Sequence, residues 1–206
     1  MKIDLVAWYK QILAHIWNSR RYILLALILY AACLGIGVLF THVMPTTSQN
    51  IVKIYAEQAD SGDGGAPQAN VQTFWYIFVH NAEIDSATVL LGCLLGFFPA
   101  LVIVVNGILV SIVVVSAGAK AGILSVILVL LPHGIIEIPT QLISVGLGIK
   151  YGMQMIRKCL GAKDVGLVRE TLLNIGACIG VIIPLLFIAA FIETFISYYV
   201  AQALLH

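Results

Sequence analysis

The chain has 206 residues, 61% of them hydrophobic and 10% charged, with a formal net charge of +1. Soluble domains carry roughly a quarter charged residues, so this composition reads as a single integral membrane domain, and near-neutral charge offers no footing for nucleic acid. Cys33, Cys93, Cys159 and Cys178 form no CxxC pair, so spacing implies neither a disulfide framework nor a zinc knuckle.

Residues 1–21 predict an amphipathic helix on the cytoplasmic side. Leu5, Trp8, Ile12 and Ile16 oppose Asp4, Lys10, Gln11 and Asn18, which approximates a helical face. Trp8, Tyr9 and Trp17 suit the headgroup layer, and Lys2, Lys10, Arg20 and Arg21 place this end in the cytoplasm. The apolar run 22–44 exceeds the roughly 7–15 residues of a signal-peptide core and predicts a retained span. Residues 45–72 follow as an external loop containing "SGDGGAPQAN". An aromatic cluster, Phe74, Trp75, Tyr76 and Phe78, then marks a membrane boundary, with His80, Asn81, Glu83 and Asp85 just behind it.

No charge occurs from Ser86 to Ala119. Pro99 predicts a break there, giving spans over 84–98 and 100–118. The rival arrangement keeps 86–119 as one long helix and folds 121–153 into a hairpin. Residues 121–153 predict a span broken at Pro132 and Gly134. The basic segment 154–170, with Arg157, Lys158, Lys163 and Arg169, reads as a cytoplasmic loop. The last span is 171–200, kinked at Pro184, and the C-terminus falls outside. The predicted class is all-α: one polytopic helix bundle over 22–206 with about five spans and proline-broken helices. Four pairs, Gly92/Gly96, Gly118/Gly122, Gly148/Gly152 and Gly176/Gly180, have GxxxG spacing; they suit close helix packing and suggest a homodimer. His15, His42 and His206 are placed at interfaces, as is Glu193.

The stretch "LLPHGIIEIPTQL" over 130–142 carries the chemistry. His133 and Glu137, four apart, share a helix face. An ionised group at the bilayer centre costs about 2.5–3.5 kcal/mol, so the two are cheapest in lipid as partners. The candidate site comprises His133, Glu137, Asn106, Pro132, Gly134 and Pro139, supported by His80, Asn81, Glu83 and Asp85. The first reading is structural: the pair fixes helix packing in a non-enzymatic scaffold. The alternative is an ion or small-solute transporter, because broken helices line such sites. A metal-dependent hydrolase ranks behind both. His133 and Glu137 supply only two ligands, a third would have to come from His80, Asn106, Glu83 or Asp85, and the HExxH signature is missing. No cofactor and no catalytic residue are expected.

Three blocks, "FWYIFVHN" (74–81), "GCLLGFFPALVIVVNG" (92–107) and "LLPHGIIEIPTQLISVGLG" (130–148), resemble the stage II sporulation protein M family. The third, Pro-His-Gly-x-x-Glu-x-Pro, is the most specific; the outer spans match only as apolar helices. The resemblance implies a polytopic fold and a core motif shared with bacteria and archaea that never sporulate. In endospore formers the named member works with a peptidoglycan hydrolase and a membrane-anchored partner during engulfment. By this resemblance the chain is a component of a membrane or cell-envelope complex, with the bilayer and other envelope proteins as partners. Thr140 departs from the alanine expected after the second proline.

Overall fold

A computed structural model describes residues 4–60, 69–163 and 166–197, with the side chains of 55–60, 120, 121, 132 and 133 outside that description. Seven helices account for it: α1 (Leu5–Asn18), α2 (Arg20–Val43), α3 (Pro45–Asp60), α4 (Val71–Leu90), α5 (Phe97–Ala121), α6 (Ile123–Cys159) and α7 (Leu167–Ser197). No strand occurs among the described residues. Local chemistry sets the starts. The Asp4 carboxylate accepts from the amides of Val6 and Ala7, and the Asn70 side chain accepts from that of Thr73 at 2.8 Å; each satisfies amides that a helix start leaves without partners.

Three helices are long and apolar enough to cross a membrane by themselves: Arg20–Val43, Phe97–Ala119 and Leu167–Ser197. The two arms of α6, Ile123–Leu131 and Gly134–Cys159, meet at 69° and make a fourth as one broken span. The break expected at Pro132 to Gly134 is therefore present.

Two expectations are corrected. The helix expected over 84–98 runs over Val71–Leu90 instead and ends in a 3-10 turn, Leu91–Cys93. The chain then reverses through Leu95 (φ 57°) and Gly96 (φ 78°). Pro99 does not separate the helices. It lies in the first turn of α5, where a missing N–H disturbs no helical bond; the break falls at glycine, which reaches left-handed φ without strain. The segment 45–72 is also not all loop, since α3 fills Pro45–Asp60. Most of its "SGDGGAPQAN" stretch lies outside the described residues, as do His206 and the end of the last expected span.

The helices run in two directions. Tyr30 and Cys33 meet Gly107 while Gly37 meets Ile108 and Ser111, so α2 and α5 are parallel. Asn81 bonds Glu137 and Asp85 bonds Ser144, so α4 and α6 are parallel to each other. Pro99 packs on Gly148 and Gly96 on Gly152, which sets α5 against α6. Phe74, near the start of α4, meets Phe187, far along α7, at 5.1 Å between ring centroids.

The helix α6 divides the interior. Leu142 and Val145 pack with Ala26, Tyr30 and Ile103 of α2 and α5. Leu147 packs with Ile12, Val89, Ile182 and Leu186 of α1, α4 and α7. The glycine pairs are used inside the chain. A Cβ at Gly92 would lie 2.6 Å from the Gly148 Cα, and one at Gly148 would lie 2.5 Å from the Pro99 Cγ. Gly176 and Gly180 receive Ile12 and Trp8 of α1, and Gly118 receives Ile123. This spacing accordingly gives no separate argument for a homodimer.

Pro184 shapes α7. It offers no N–H to the carbonyl four residues back, that of Gly180. The preceding turn, Cys178–Ile182, is π-helical, and the Tyr9 hydroxyl donates to the Gly180 carbonyl at 3.2 Å. A proline in α7 thus becomes an anchor for α1.

Candidate functional site

Polar side chains recur at helical spacing on two facing helices. Asn81 and Asp85 are four apart on α4; Glu137, Gln141 and Ser144 follow at four and three on α6. Each set shares one face, and parallel packing brings the faces together. Asn81 Nδ2 donates to Glu137 Oε2 at 3.1 Å, and Ser144 Oγ donates to Asp85 Oδ2 at 3.0 Å. Asp85 is 3% exposed. Thr140 is buried, and its hydroxyl donates to the Ile136 carbonyl at 2.7 Å, so the departure from alanine leaves no unsatisfied donor.

Asn81, Asp85, Glu137 and Gln141 border a cavity of about 460 Å³. His80, Asn81, Ile84 and Asp85 of α4 form one wall; Phe98, Leu101, Val102, Val105, Asn106 and Leu109 of α5 form the other; Glu137 and Gln141 of α6 and Leu186 of α7 lie between them. His80, Leu101 and Val105 are exposed at its edge, so the mouth opens between α4 and α5. The Tyr76 and His80 rings stack there, 5.9 Å apart and 7° from coplanar. Asn106 lies nine residues past Phe97, about 14 Å along α5.

Of the residues expected at a site, the cavity brings together Glu137, Asn106, His80, Asn81 and Asp85. It does not include Glu83, which is exposed, nor Gly134 and Pro139, which lie on the long arm of α6 beyond its bend. The side chains of Pro132 and His133 lie outside the described residues, and with them the expected pairing of His133 with Glu137. Asn81 is a partner of Glu137 that the sequence reading did not assign. Gln141, Ser144 and Phe98 were missed as well. Positions four and seven beyond Glu137 were the available signal for the first two. Among the described residues no group of three or more His, Cys, Asp or Glu side chains is arranged to hold a metal ion.

A second polar cluster joins α1, α6 and α7, and here the reading of His15 as an interfacial residue is corrected. His15 is 5% exposed. Its Nε2 lies 2.9 Å from Asn174 Oδ1, and its Nδ1 lies 3.4 Å from Lys150 Nζ. An ammonium has only protons to give, so Nδ1 accepts and Nε2 carries the hydrogen donated to Asn174. Lys150 Nζ also pairs with Glu170 Oε1 at 2.9 Å, and the same oxygen lies 3.7 Å from His15 Nε2. Burial lowers the His15 pKa; the Asn174 hydrogen bond raises it, Lys150 lowers it, Glu170 raises it and Arg169 lowers it. The neutral imidazole is the form this environment favours. Beside it, Tyr151 and Thr171 share a hydroxyl hydrogen bond of 2.6 Å between α6 and α7.

Residues 26–198 match the family described as stage II sporulation protein M. That match includes all three sequence blocks and both walls of the cavity. An uncharacterized protein of Methanocaldococcus jannaschii is similar as well, 33% identical over 116 residues that make up 55% of this chain and 52% of that protein. The chain thus spans about half the length of that relative. No solved structure matches.

Proposed function

This chain belongs to the stage II sporulation protein M family, and we propose that it is a multi-pass membrane protein whose α4–α6 cavity takes up a monovalent cation or small cationic solute for passage across the bilayer. The carrying observation is that Asp85 and Glu137, from two helices, open together with Asn81, Asn106 and Gln141 on one cavity, with no Lys or Arg lining it among the described residues. The carboxylate oxygens of Asp85 and Glu137 and the amide oxygens of Asn81, Asn106 and Gln141 are ligands suited to such a guest in an apolar surround. The α6 bend beside Glu137 supports this reading, because transporters bind substrate where spanning helices are interrupted. We further propose five crossings, with α4 as the additional one, and a cytoplasmic N-terminus. The alternating helix directions and the basic residues of 150–169 support that topology.

A scaffold role is the second reading. Its support is that Asn81 and Ser144 already use Glu137 and Asp85 to tie α4 to α6. Envelope-protein partners and a homodimer belong with it.

Proteoliposomes loaded with pH-, Na⁺- or K⁺-sensitive dyes separate the two. Transport predicts cation flux in the wild type, lost in Asp85→Asn and Glu137→Gln without a large fall in melting temperature. No cation flux or binding in the wild type, with both variants losing stability, would leave the scaffold.

A further inference from the structure

The helices α1 and α2 are separated by one residue, Ser19, and form an elbow. Ser19 is fully buried, and its hydroxyl donates to the His15 carbonyl at 2.8 Å, so the elbow is fixed. In its crook lies a cavity of about 650 Å³, distinct from the one between α4 and α5. Leu13 and Ala14 of α1 and Ile23 of α2 line its sides, and Ile143 of α6 contributes the far wall. At the rim the Arg20 guanidinium sits 5.4 Å over the Trp17 ring, and its Nη1 donates to the Trp17 carbonyl at 3.3 Å.

We propose that this elbow is a binding site for one anionic phospholipid, with an acyl chain in the crook and the phosphate on Arg20. The chemistry comes in two parts, as such a lipid does. The slot is apolar apart from Arg20, and it continues into the exposed apolar face of α2 at Leu24 and Leu27. That face is what a bilayer covers, so the adjoining slot meets acyl chains. The positive charge stands only at the rim, where a headgroup would lie, and Arg21 is exposed beside it. A guanidinium presents a planar fork that matches phosphate oxygens, and basic pockets between membrane helices select anionic headgroups. The Trp17 ring holds that fork in place by a cation–π contact.

The test is native mass spectrometry of the full chain equilibrated in detergent with equal amounts of phosphatidylglycerol and phosphatidylcholine. The wild type is expected to retain phosphatidylglycerol about fivefold or more over phosphatidylcholine, the factor associated with one basic residue near an anionic lipid. Arg20→Gln should abolish that preference while lipid is still retained. Arg20→Lys, which keeps the charge but not the fork, should keep only part of it. Ala14→Phe, at an exposed α1 position, fills the crook and should reduce retention of both lipids. Equal retention by the wild type, a preference unchanged in Arg20→Gln or lost alike in Arg20→Lys, or unchanged retention in Ala14→Phe would overturn the site.

Discussion

The ion pair between Lys150 and Glu170 offers a sharp test of how α1 is held. Their side chains are 15% and 9% exposed, with Nζ and Oε1 2.9 Å apart. Removing one partner of a buried pair costs about 3–5 kcal/mol because the other charge is stranded, whereas replacing both can be nearly neutral. Lys150 retains some solvent, which favours the lower end. About 3 kcal/mol in a chain of this size corresponds to roughly 6–12 °C in melting temperature. Glu170→Gln and Lys150→Met should therefore each lower the midpoint by about that much, followed by calorimetry in mild detergent. The double variant should lose clearly less than the sum. The singles should also move His15 in opposite senses: Lys150 lowers its pKa and Glu170 raises it, so Lys150→Met raises it and Glu170→Gln depresses it further. Additive losses in the cycle, or single losses of under about 2 °C, would refute a coupled buried pair.

Acid should loosen the same junction. The His15 pKa lies below its ordinary 6.5; its stabilising contribution is complete above that unfolded value and is lost as pH falls below 6.5 toward the folded value. Wild-type melting temperature should fall more steeply than that of His15→Gln over this range, and equal slopes would count against the assignment. Tyr9→Phe removes the hydrogen bond to the Gly180 carbonyl and should cost about 0.5–1.5 kcal/mol. In a Pro184→Ala background, where an N–H becomes available to that carbonyl, the loss should shrink; an identical loss would disconnect the two residues. Cys159 is exposed, and in intact cells it should resist an impermeant thiol reagent until permeabilisation; labelling from outside would reverse the proposed topology.

Composition and apolar runs made the all-α bundle legible, because twenty-residue uncharged stretches have few other solutions. The convergence of Asn81, Asp85, Asn106 and Glu137 was partly legible, since each is a polar residue in an apolar context. Their pairing was not: Asn81 and Glu137 are 56 residues apart, and nothing local specifies which helix faces which. The break at Gly96 instead of Pro99 was hidden for another reason. Proline signals a helix start as readily as an interruption, and the left-handed turn falls on Leu95 and Gly96, of which only the glycine adopts it without strain. His15 was the least legible. One histidine on an amphipathic helix has no local signature, and its partners Lys150 and Asn174 lie 135 and 159 residues away.

Where α4 turns into α5, backbone touches backbone: Gly92 against Gly148, and Gly96 against Gly152. Farther along, the same two helices stand apart around the cavity. A pair of rods pinned at one end and separated at the other is a lever. Asn106 lies ten residues beyond Gly96, so its arm is about 15 Å at 1.5 Å per residue. A tilt of about 4° about the pin carries a side chain on that arm by about 1 Å. That travel can make or break a hydrogen bond, while at the fulcrum the glycines hardly move. Because Gly107, next to Asn106, is packed on Tyr30 and Cys33 of α2, such a tilt would carry α2 along with α5, so the width of the mouth is tied to the packing of the first span.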